Sequence, residues 1–346
     1  MSRSSALEPK IDAYRRVLGK LTGGVREKAW SRMYWSGHDL GVDRAHASQL
    51  RRERLLVARL VRGGIKGWPR RRTLFTRSLP FGCRPCVKGR AACLSVTNVC
   101  TRDCFFCPNP RPRKDEACLG GLVVDDLPSA PRLVERFGLE SIGVSGGDPL
   151  TRLPRTLRLA RALRRRFGPR LRMNLYTNGD LLTEAVLRRL KRAGVAEIRI
   201  NLVANEFDLE PLKRALGHFR DVVVEIPVVP EQRERLRRLI GELDELGLPH
   251  LVLHELAYSK ENFAAMSRRG HRAKSPRFPV KGMRPVSESG LAALELLLHA
   301  LKTARRLSVY YCSHDTIEMI NERGVRYRRS RLGPAGARLA KGLRCY

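Results

Sequence analysis

The sequence predicts an α/β protein in which a parallel sheet carries helices on its outer face. From about residue 91 onward, short apolar stretches alternate with amphipathic helical stretches. This unit repeats six times, and each connection is long enough for a helix to cross between parallel strands. The chain has 346 residues and a hydrophobic fraction of 42%, which suffices for one large domain with extensions.

The repeats can be assigned in order along the chain. Strands are expected where apolar runs lie between turn residues, at 92–97, 141–145, 172–176, 197–202, 222–228 and 250–255. Helices are expected where apolar residues recur at helical spacing on basic stretches, near 131–137, 153–167, 184–193, 209–219 and 231–246.

Two segments flank this core. Residues 1–80 have helical patterning and many basic residues but no chemical motif, and they predict a basic helical N-terminal extension. Residues 81–260 contain the repeats. Residues 261–346 depart from the repeat, with a helix expected at 290–305 and a strand at 307–311, and predict a C-terminal α/β extension.

The chain is strongly basic, with a formal net charge of +34 and a pI near 11.0. Such a charge attracts nucleic acid or other anionic surfaces without specificity. The arginines, however, are spread over every predicted helix, which is typical of solvated helix faces. RNA therefore stays an alternative substrate or partner.

The sequence lacks the features of a membrane protein or a secreted protein. We find no run of about 18 apolar residues, and the first ten residues lack the apolar core of a secretory signal. Nine unevenly clustered cysteines fit reduced, metal-binding thiols better than a disulfide framework. We expect a cytoplasmic protein without a membrane partner.

The polar turn after the first strand carries Cys100, Cys104 and Cys107 in the spacing CxxxCxxC. Three thiolates from one loop can hold three irons of a four-iron cluster and leave the fourth iron open to a substrate or cofactor. Three closely spaced cysteines in a reducing compartment also suit structural zinc. The spacing alone leaves both metals open.

Polar residues follow the next strands of the predicted sheet, where active sites of such folds collect. After the second strand, Gly146 and Gly147 let the backbone pass close to a ligand, while Asp148 suits either that ligand or a helix cap. Asn178 lies in the turn after the third strand. Asn201 projects into the mouth of the sheet if its apolar neighbours pack against the helices.

Glu255 ends the sixth strand after a buried run. A carboxylate at such a position is costly unless it faces a polar cavity or a partner. The position suits a catalytic residue that binds substrate or moves a proton, and it equally suits a salt bridge to one of the many arginines.

Together these features resemble the radical S-adenosylmethionine (radical SAM) superfamily. The likeness rests on CxxxCxxC with Phe106 before its last cysteine, on Gly-Gly-Asp-Pro at 146–149 and on Thr-Asn-Gly at 177–179. It implies a partial (β/α)6 TIM-like barrel. It also implies an enzyme whose [4Fe-4S] cluster cleaves S-adenosyl-L-methionine (SAM) reductively to a 5′-deoxyadenosyl radical, which abstracts a hydrogen atom from a substrate.

The resemblance also implies roles for individual residues. Asp148 stands where the family has Glu, so a side-chain role at that position is in doubt. The resemblance implies that Cys100, Cys104 and Cys107 bind the cluster and that Phe106 packs beside the adenine or the cluster. It implies that Gly146, Gly147 and Asp148 bind the methionyl end of SAM. It also implies that Asn178 and Asn201 line the cofactor pocket.

A narrower likeness points to uncharacterised prokaryotic radical SAM proteins related to pyruvate formate-lyase activating enzyme. It rests in part on Cys83-x-x-Cys86 before the first strand and on Cys312 after a late strand. It implies that these three cysteines meet at a second metal site, for zinc or a second cluster, with a fourth ligand from His314, Cys118 or substrate. The alternative is that Cys312 is an ordinary buried cysteine.

The leading hypothesis is a radical SAM enzyme acting on an unknown small molecule, peptide or protein. The likeness to activating enzymes allows a glycyl-radical-enzyme activase, and the charge allows a tRNA- or RNA-modifying radical SAM enzyme. The resemblance implies a flavodoxin- or ferredoxin-type electron donor. The hypothesis from another class is a zinc-stabilised nucleic-acid-binding module, which would bind zinc and leave SAM intact.

Overall fold

The computed structural model describes residues 45–119, 122–123, 129–273 and 283–340, so the expected helical patterning over residues 1–44 lies outside it. The strands are β1 (Lys66–Trp68), β2 (Thr73–Phe75), β3 (Ala91–Thr97), β4 (Cys118–Leu119), β5 (Leu122–Val123), β6 (Ser141–Gly146), β7 (Arg172–Thr177), β8 (Glu197–Ile200), β9 (Asp221–Val228), β10 (His250–Glu255), β11 (Ala257–Ser259), β12 (Met283–Pro285) and β13 (Ser308–Cys312). The α-helices are α1 (Ala45–Arg62), α2 (Cys83–Cys86), α3 (Ser129–Phe137), α4 (Leu153–Phe167), α5 (Glu184–Arg192), α6 (Glu210–His218), α7 (Arg233–Glu245), α8 (Phe263–Ser267), α9 (Ser287–Thr303) and α10 (His314–Ala340).

One large sheet organises the molecule. Its strand order is β1-β2-β13-β10-β9-β8-β7-β6-β3-β4-β5, and every neighbouring pair from β13 to β3 is parallel. The remaining strands extend its two edges in antiparallel pairs. The six predicted strands and five connecting helices are all present, which confirms the predicted α/β class.

The sheet has a seventh parallel strand that the repeat did not include. The strand expected at 307–311 is β13, and it pairs with β10 so that Leu251 lies opposite Val309 and Leu253 opposite Tyr311. The repeat is hidden there because β11, α8, β12 and α9 intervene between β10 and β13. The division of the chain into three domains stays a prediction.

The sheet curves into a partial barrel. Cys93 on β3 and Cys312 on β13 line one cavity, together with side chains from every parallel strand between them. In a flat sheet, strands six places apart would be roughly 29 Å from each other, at about 4.8 Å per strand. The shared cavity therefore lies on the concave inner face, which we call the barrel interior.

The outer face of the sheet is covered by amphipathic helices. In α7 the buried residues are spaced i, i+3, i+4 and i+7, which places them on one face of the helix: Leu236, Leu239, Ile240 and Leu243. Burying each such side chain contributes about 1.5–3 kcal/mol. Of the helices in the described ranges, none combines the length and the apolar character needed to cross a membrane.

Helix α2 packs against the inner face near the amino-terminal end of β8. Gly82 N, just before α2, donates to Glu197 Oε2 at 3.1 Å. A Cβ atom on Gly82 would lie 2.8 Å from Arg199 Nη2, so a side chain there would displace the Arg199 guanidinium. The contact carries Cys83 and Cys86 into the barrel interior.

Candidate functional site

A single loop after β3 carries the three cysteines of the CxxxCxxC motif. The loop returns beside its starting point, since Asn98 N donates to Lys114 O at 2.9 Å. A turn closes its tip, where Cys107 N donates to Cys104 O at 3.1 Å. All three thiols are half-buried. The loop therefore presents them together at the carboxyl end of a parallel strand, where the sequence placed them.

The loop thiols are in a setting that favours a bound metal. Burial, together with the thiols of Cys107 and Cys100, raises the pKa of Cys104 to about 11. Burial also raises the pKa of Cys100. Thiols that oppose one another's ionisation become thiolates together when a metal supplies positive charge. This donor set fits an iron–sulfur cluster with three cysteine ligands.

Nitrogen donors surround the loop sulfurs. Cys100 Sγ accepts from Arg102 N at 3.5 Å and from Asn178 Nδ2 at 3.8 Å. The guanidinium of Arg113 hydrogen-bonds Cys107 and lies within electrostatic reach of Cys100. Hydrogen bonds and charge at cluster sulfurs help to set the reduction potential. Sequence reasoning missed Arg113, because nothing in the motif marks it among so many arginines.

The two glycines after β6 dock against the cysteine loop. A Cβ atom on Gly146 would lie 2.0 Å from Thr97 O, and one on Gly147 would lie 2.1 Å from Val99 O. Gly147 N donates to Thr97 O at 2.8 Å. Asn109 Nδ2, from the same loop, donates to Gly146 O at 2.8 Å. The two glycines therefore let the turn after β6 pack closely against the backbone that leads into Cys100.

The side chain of Asp148 joins two successive turns at the carboxyl end of the sheet. Its Oδ2 accepts from Thr177 Oγ1 at 2.7 Å and from Asn178 N at 3.0 Å. Its Oδ1 accepts from Leu150 N at 2.9 Å and caps the turn that follows. Burial raises the pKa of Asp148, and these hydrogen bonds oppose that rise. The side chain therefore positions Asn178, which in turn contacts Cys100.

A segment after β10 covers the tip of the cysteine loop. Asn262 Nδ2 donates to Phe106 O at 2.9 Å. The rings of Phe105 and Phe106 meet edge to face at 5.2 Å and pack against an apolar cluster that includes Met266. The guanidinium of Arg269 lies 3.9 Å from the centre of the Phe105 ring. Phe106 is thus held beside Cys107 under an apolar cover.

Asn201 follows β8 at the mouth of the barrel. Its neighbours Ile200 and Leu202 are fully buried, which was the condition for Asn201 to face that mouth. Asn201 Oδ1 accepts from Val203 N at 3.1 Å and from Ala204 N at 3.2 Å, so its carbonyl shapes the following turn. Its role toward a cofactor stays a prediction.

Glu255 and its neighbour His254 face opposite sides of the sheet. Leu251 and Leu253 belong to the core beneath the outer helices, and Glu255 continues their side of β10. Glu255 Oε2 accepts from the backbone N–H of His314 at 2.8 Å. His254 instead lines the barrel interior. The catalytic role of Glu255 stays a prediction, and the structure does not group it with the cysteine loop.

The barrel interior holds a buried network of charges. Arg199 bridges Glu197 and Glu225, at 2.5 Å in each case, and its Nη atoms lie 3.4 Å from Cys83 Sγ. Glu225 Oε1 is also 2.5 Å from His254 Nε2. Burial disfavours the protonated imidazole of His254, but Cys312 and Glu225 favour it and raise the pKa of His254 to about 10. Charged residues at alternate positions of apolar strands could have indicated this network, as Glu197 and Arg199 do on β8.

Four cysteines line the cavity at the centre of this network: Cys83, Cys86, Cys93 and Cys312. The structure thus brings Cys83, Cys86 and Cys312 to one place. His314 and Cys118 are not part of the lining of this cavity. Cys118 lies on β4 opposite Ser95, and His314 begins α10.

The cysteine loop and its neighbouring turns fall within a match to a known family. Residues 94–253 match the model of the Radical SAM superfamily, from β3 to β10. The chain carries a radical SAM domain. This finding confirms the resemblance to the radical SAM superfamily that the motifs indicate.

Two relatives of the radical SAM domain are informative. A protein of Methanocaldococcus jannaschii, named as a candidate glycyl-radical enzyme activating enzyme, is 28% identical over 259 residues, which is 70% of this chain and 66% of the relative. A candidate GTP 3′,8-cyclase of Metallosphaera sedula is 27% identical over 180 residues, 47% of this chain and 54% of that relative. The chain thus spans less than two thirds of the length of either.

Among solved structures, coproporphyrinogen III oxidase from Escherichia coli, a radical SAM enzyme, matches with a TM-score of 0.41 and 15% identity. The match covers 66% of this chain and 57% of the oxidase. A likeness this distant has no bearing on the reaction.

Proposed function

We propose that the chain binds a [4Fe-4S] cluster on Cys100, Cys104 and Cys107 and abstracts a hydrogen atom from its substrate. When bound, the cluster and SAM supply the radical chemistry, through reductive cleavage of SAM to a 5′-deoxyadenosyl radical. One observation carries the proposal. Within the radical SAM domain, one loop at the carboxyl end of β3 presents three half-buried thiols.

The turns around the loop are proposed to hold SAM. The backbone at Gly146 and Gly147 touches the loop that leads into Cys100, so a ligand of the open iron would lie beside it. Asp148 supports this turn from beneath, and its carboxylate accepts from three protein donors. We assign Asn178 and Asn201 to the walls of the cofactor pocket, with Asn178 also in contact with Cys100.

The cover over the cysteine loop is proposed to exclude water from the reacting groups. Phe105 and Phe106 pack against Leu256, Tyr258 and Met266, and those three are almost fully buried. A reactive radical needs such protection, because solvent and small molecules would quench it. The same packing fixes Phe106 next to the cluster.

The relative from M. jannaschii favours one specific reaction, the activation of a glycyl-radical enzyme, because the match extends over 70% of this chain. The substrate would then be a backbone glycine of a partner protein. We place the reaction in the cytoplasm with a flavodoxin- or ferredoxin-type electron donor. Incubation with SAM, reductant and the glycyl-radical enzymes of the same genome should give a protein-based glycyl radical detectable by electron paramagnetic resonance.

The broader proposal is tested by the products of SAM cleavage. Reconstituted chain with reductant should convert SAM to methionine and 5′-deoxyadenosine, measured by liquid chromatography. A Cys118→Ser variant should retain this activity, since Cys118 lies outside the loop. A chain that carries a full cluster and yet leaves SAM intact would contradict the proposal.

A second metal is part of the proposal. Cys83, Cys86 and Cys312 line one cavity, and none of them belongs to the cysteine loop. The spacing of Cys83 and Cys86 matches half of a zinc site.

A further inference from the structure

We infer that the barrel interior binds one zinc ion through Cys83, Cys86, Cys312 and His254, with Glu225 orienting the imidazole. The inference extends the second metal of the proposed function by completing its ligands and naming the ion. It does not depend on SAM chemistry. The two can therefore fail separately.

The fold gathers the thiols from distant parts of the chain. Cys83 and Cys86 come from α2 and Cys312 from the end of β13, and all three line the same cavity. Cys83 and Cys312 also belong to one buried cluster. Tyr310 belongs to the same cluster and lines the same cavity.

The imidazole of His254 is already oriented as a ligand. The Nε2 atom of His254 lies 2.5 Å from Glu225 Oε1. The ring also hydrogen-bonds Cys312. Because Nε2 already faces Glu225, Nδ1 is the nitrogen left for Cys312. A histidine that binds zinc usually donates its other N–H to a carboxylate, which fixes the tautomer and the ring. Arg199 in turn fixes Glu225 through a 2.5 Å ion pair.

A second polar group faces the cavity. Tyr310 is fully buried, and its hydroxyl hydrogen-bonds Cys312. A zinc-bound Cys312 thiolate would accept the same hydrogen bond. Arg199 can likewise donate to Cys83 Sγ, which lies 3.4 Å from both Nη atoms.

The donor set of the cavity selects the ion. Three thiolates and one imidazole form a common tetrahedral ligand set for Zn²⁺.

Side chains must rotate to complete the site. In the described ranges no three His, Cys, Asp or Glu side chains are yet placed as ligands of one ion, and this holds equally for the cysteine loop. Once bound, the ion would fasten α2 to β10 and β13.

The test measures zinc in a chain that cannot bind the loop cluster. The background is the loop-cysteine variant, with Cys100→Ala, Cys104→Ala and Cys107→Ala, purified in full length. Mass spectrometry of its metals should give about one zinc per chain and no stoichiometric iron. Adding Cys312→Ser should abolish the zinc, whereas adding Cys118→Ser should leave it unchanged. Glu225→Gln should weaken zinc binding by about 10–100-fold in a competition with a chromophoric chelator.

Cobalt provides a spectroscopic readout of the ligands themselves. Co²⁺ added to the loop-cysteine variant should give the intense thiolate-to-cobalt and ligand-field absorption of a tetrahedral site with three sulfurs. Absence of these bands, absence of zinc, or equal loss of zinc from the Cys118→Ser and Cys312→Ser chains would overturn the inference. Zinc binding without SAM cleavage would overturn only the proposed function.

Discussion

The cysteine loop and the thiol cavity use the same residue type in two different settings. The loop collects its thiols from eight consecutive residues and leaves them half-buried at the barrel mouth. The cavity collects its thiols from α2, β3 and β13 and surrounds them with buried charge. Burial raises the pKa of Cys83 to about 12, with Arg199 opposing the rise, against about 11 for Cys104.

Under the proposed assignments, the loop is a site for chemistry and the cavity is a site for structure. Thiols at an open mouth leave room for a cofactor and substrate around the metal. Thiols enclosed between a short helix and the inner face suit an ion that ties these elements together. A structural ion contributes to folding directly, whereas a catalytic one need not.

The largest contrast should come from single cysteine substitutions. Cys104→Ser should abolish 5′-deoxyadenosine formation, because a cluster with two cysteine ligands is not retained. Cys83→Ser should leave measurable cleavage of SAM per bound cluster but lower the thermal midpoint. Liquid chromatography and thermal unfolding monitor the two outcomes. Loss of cleavage in a folded Cys83→Ser chain with a full cluster would mean that the cavity takes part in the chemistry.

Asp148→Ala should give the next largest effect. It removes the acceptor of three buried donors, those of Leu150, Thr177 and Asn178. We expect the free energy of unfolding to fall by about 2–4 kcal/mol, measured by urea denaturation. Asp208→Ala is the matched control, since Asp208 is exposed and accepts from Glu210 N at 2.9 Å. Equal losses from both variants would show that Asp148 does not join the turns.

Arg113→Ala sharpens the comparison at the cysteine loop. Removing a cation that hydrogen-bonds Cys107 should make the midpoint potential of the cluster more negative. We expect a shift on the order of 60 mV, which for one electron is a tenfold change in equilibrium. A redox titration followed by electron paramagnetic resonance measures it, and Arg113→Lys should shift it less. An unchanged potential would remove Arg113 from the surroundings of the cluster.

We expect the smallest effect on stability from replacing Asp244, which binds the segment that leads into β13 and so to the thiol cavity. Burial favours the neutral acid, but hydrogen bonds from Leu307, Arg305 and Arg306 lower the pKa of Asp244 overall. A lowered folded-state pKa stabilises the fold above the unfolded value near 3.9, and this stability is lost as pH falls below it. Asp244→Asn should therefore cost at most about 1 kcal/mol at neutral pH, and this cost should shrink as pH falls below about 3.9. A constant difference across that range would contradict this account.

Much of the fold could be predicted because its repeat is local. Apolar strands and amphipathic helices are visible within a few residues, and the carboxyl ends of parallel strands gather by geometry. The pairing of β13 with β10 is not local, since more than 50 residues separate them. Sequence patterns do not encode such a pairing directly.

The two sites differ in the same way. The cysteine loop could be predicted from spacing, whereas the partners of its sulfurs could not, because Arg113 and Asn178 reach them through folding. Side chains alternate between the two faces of a strand, so either Glu255 or His254 faces the barrel interior. A shift of one residue in the register of β10 would exchange the two. The position of His254 in the cavity therefore required the structure.

The most direct measurement is iron and zinc per chain after anaerobic reconstitution, in wild type and in the loop-cysteine variant. We predict about four irons and one zinc in wild type, and one zinc without the four irons in the variant. Retention of all iron by the variant, or zinc alone in wild type, would contradict the assignment of the loop to the catalytic cluster.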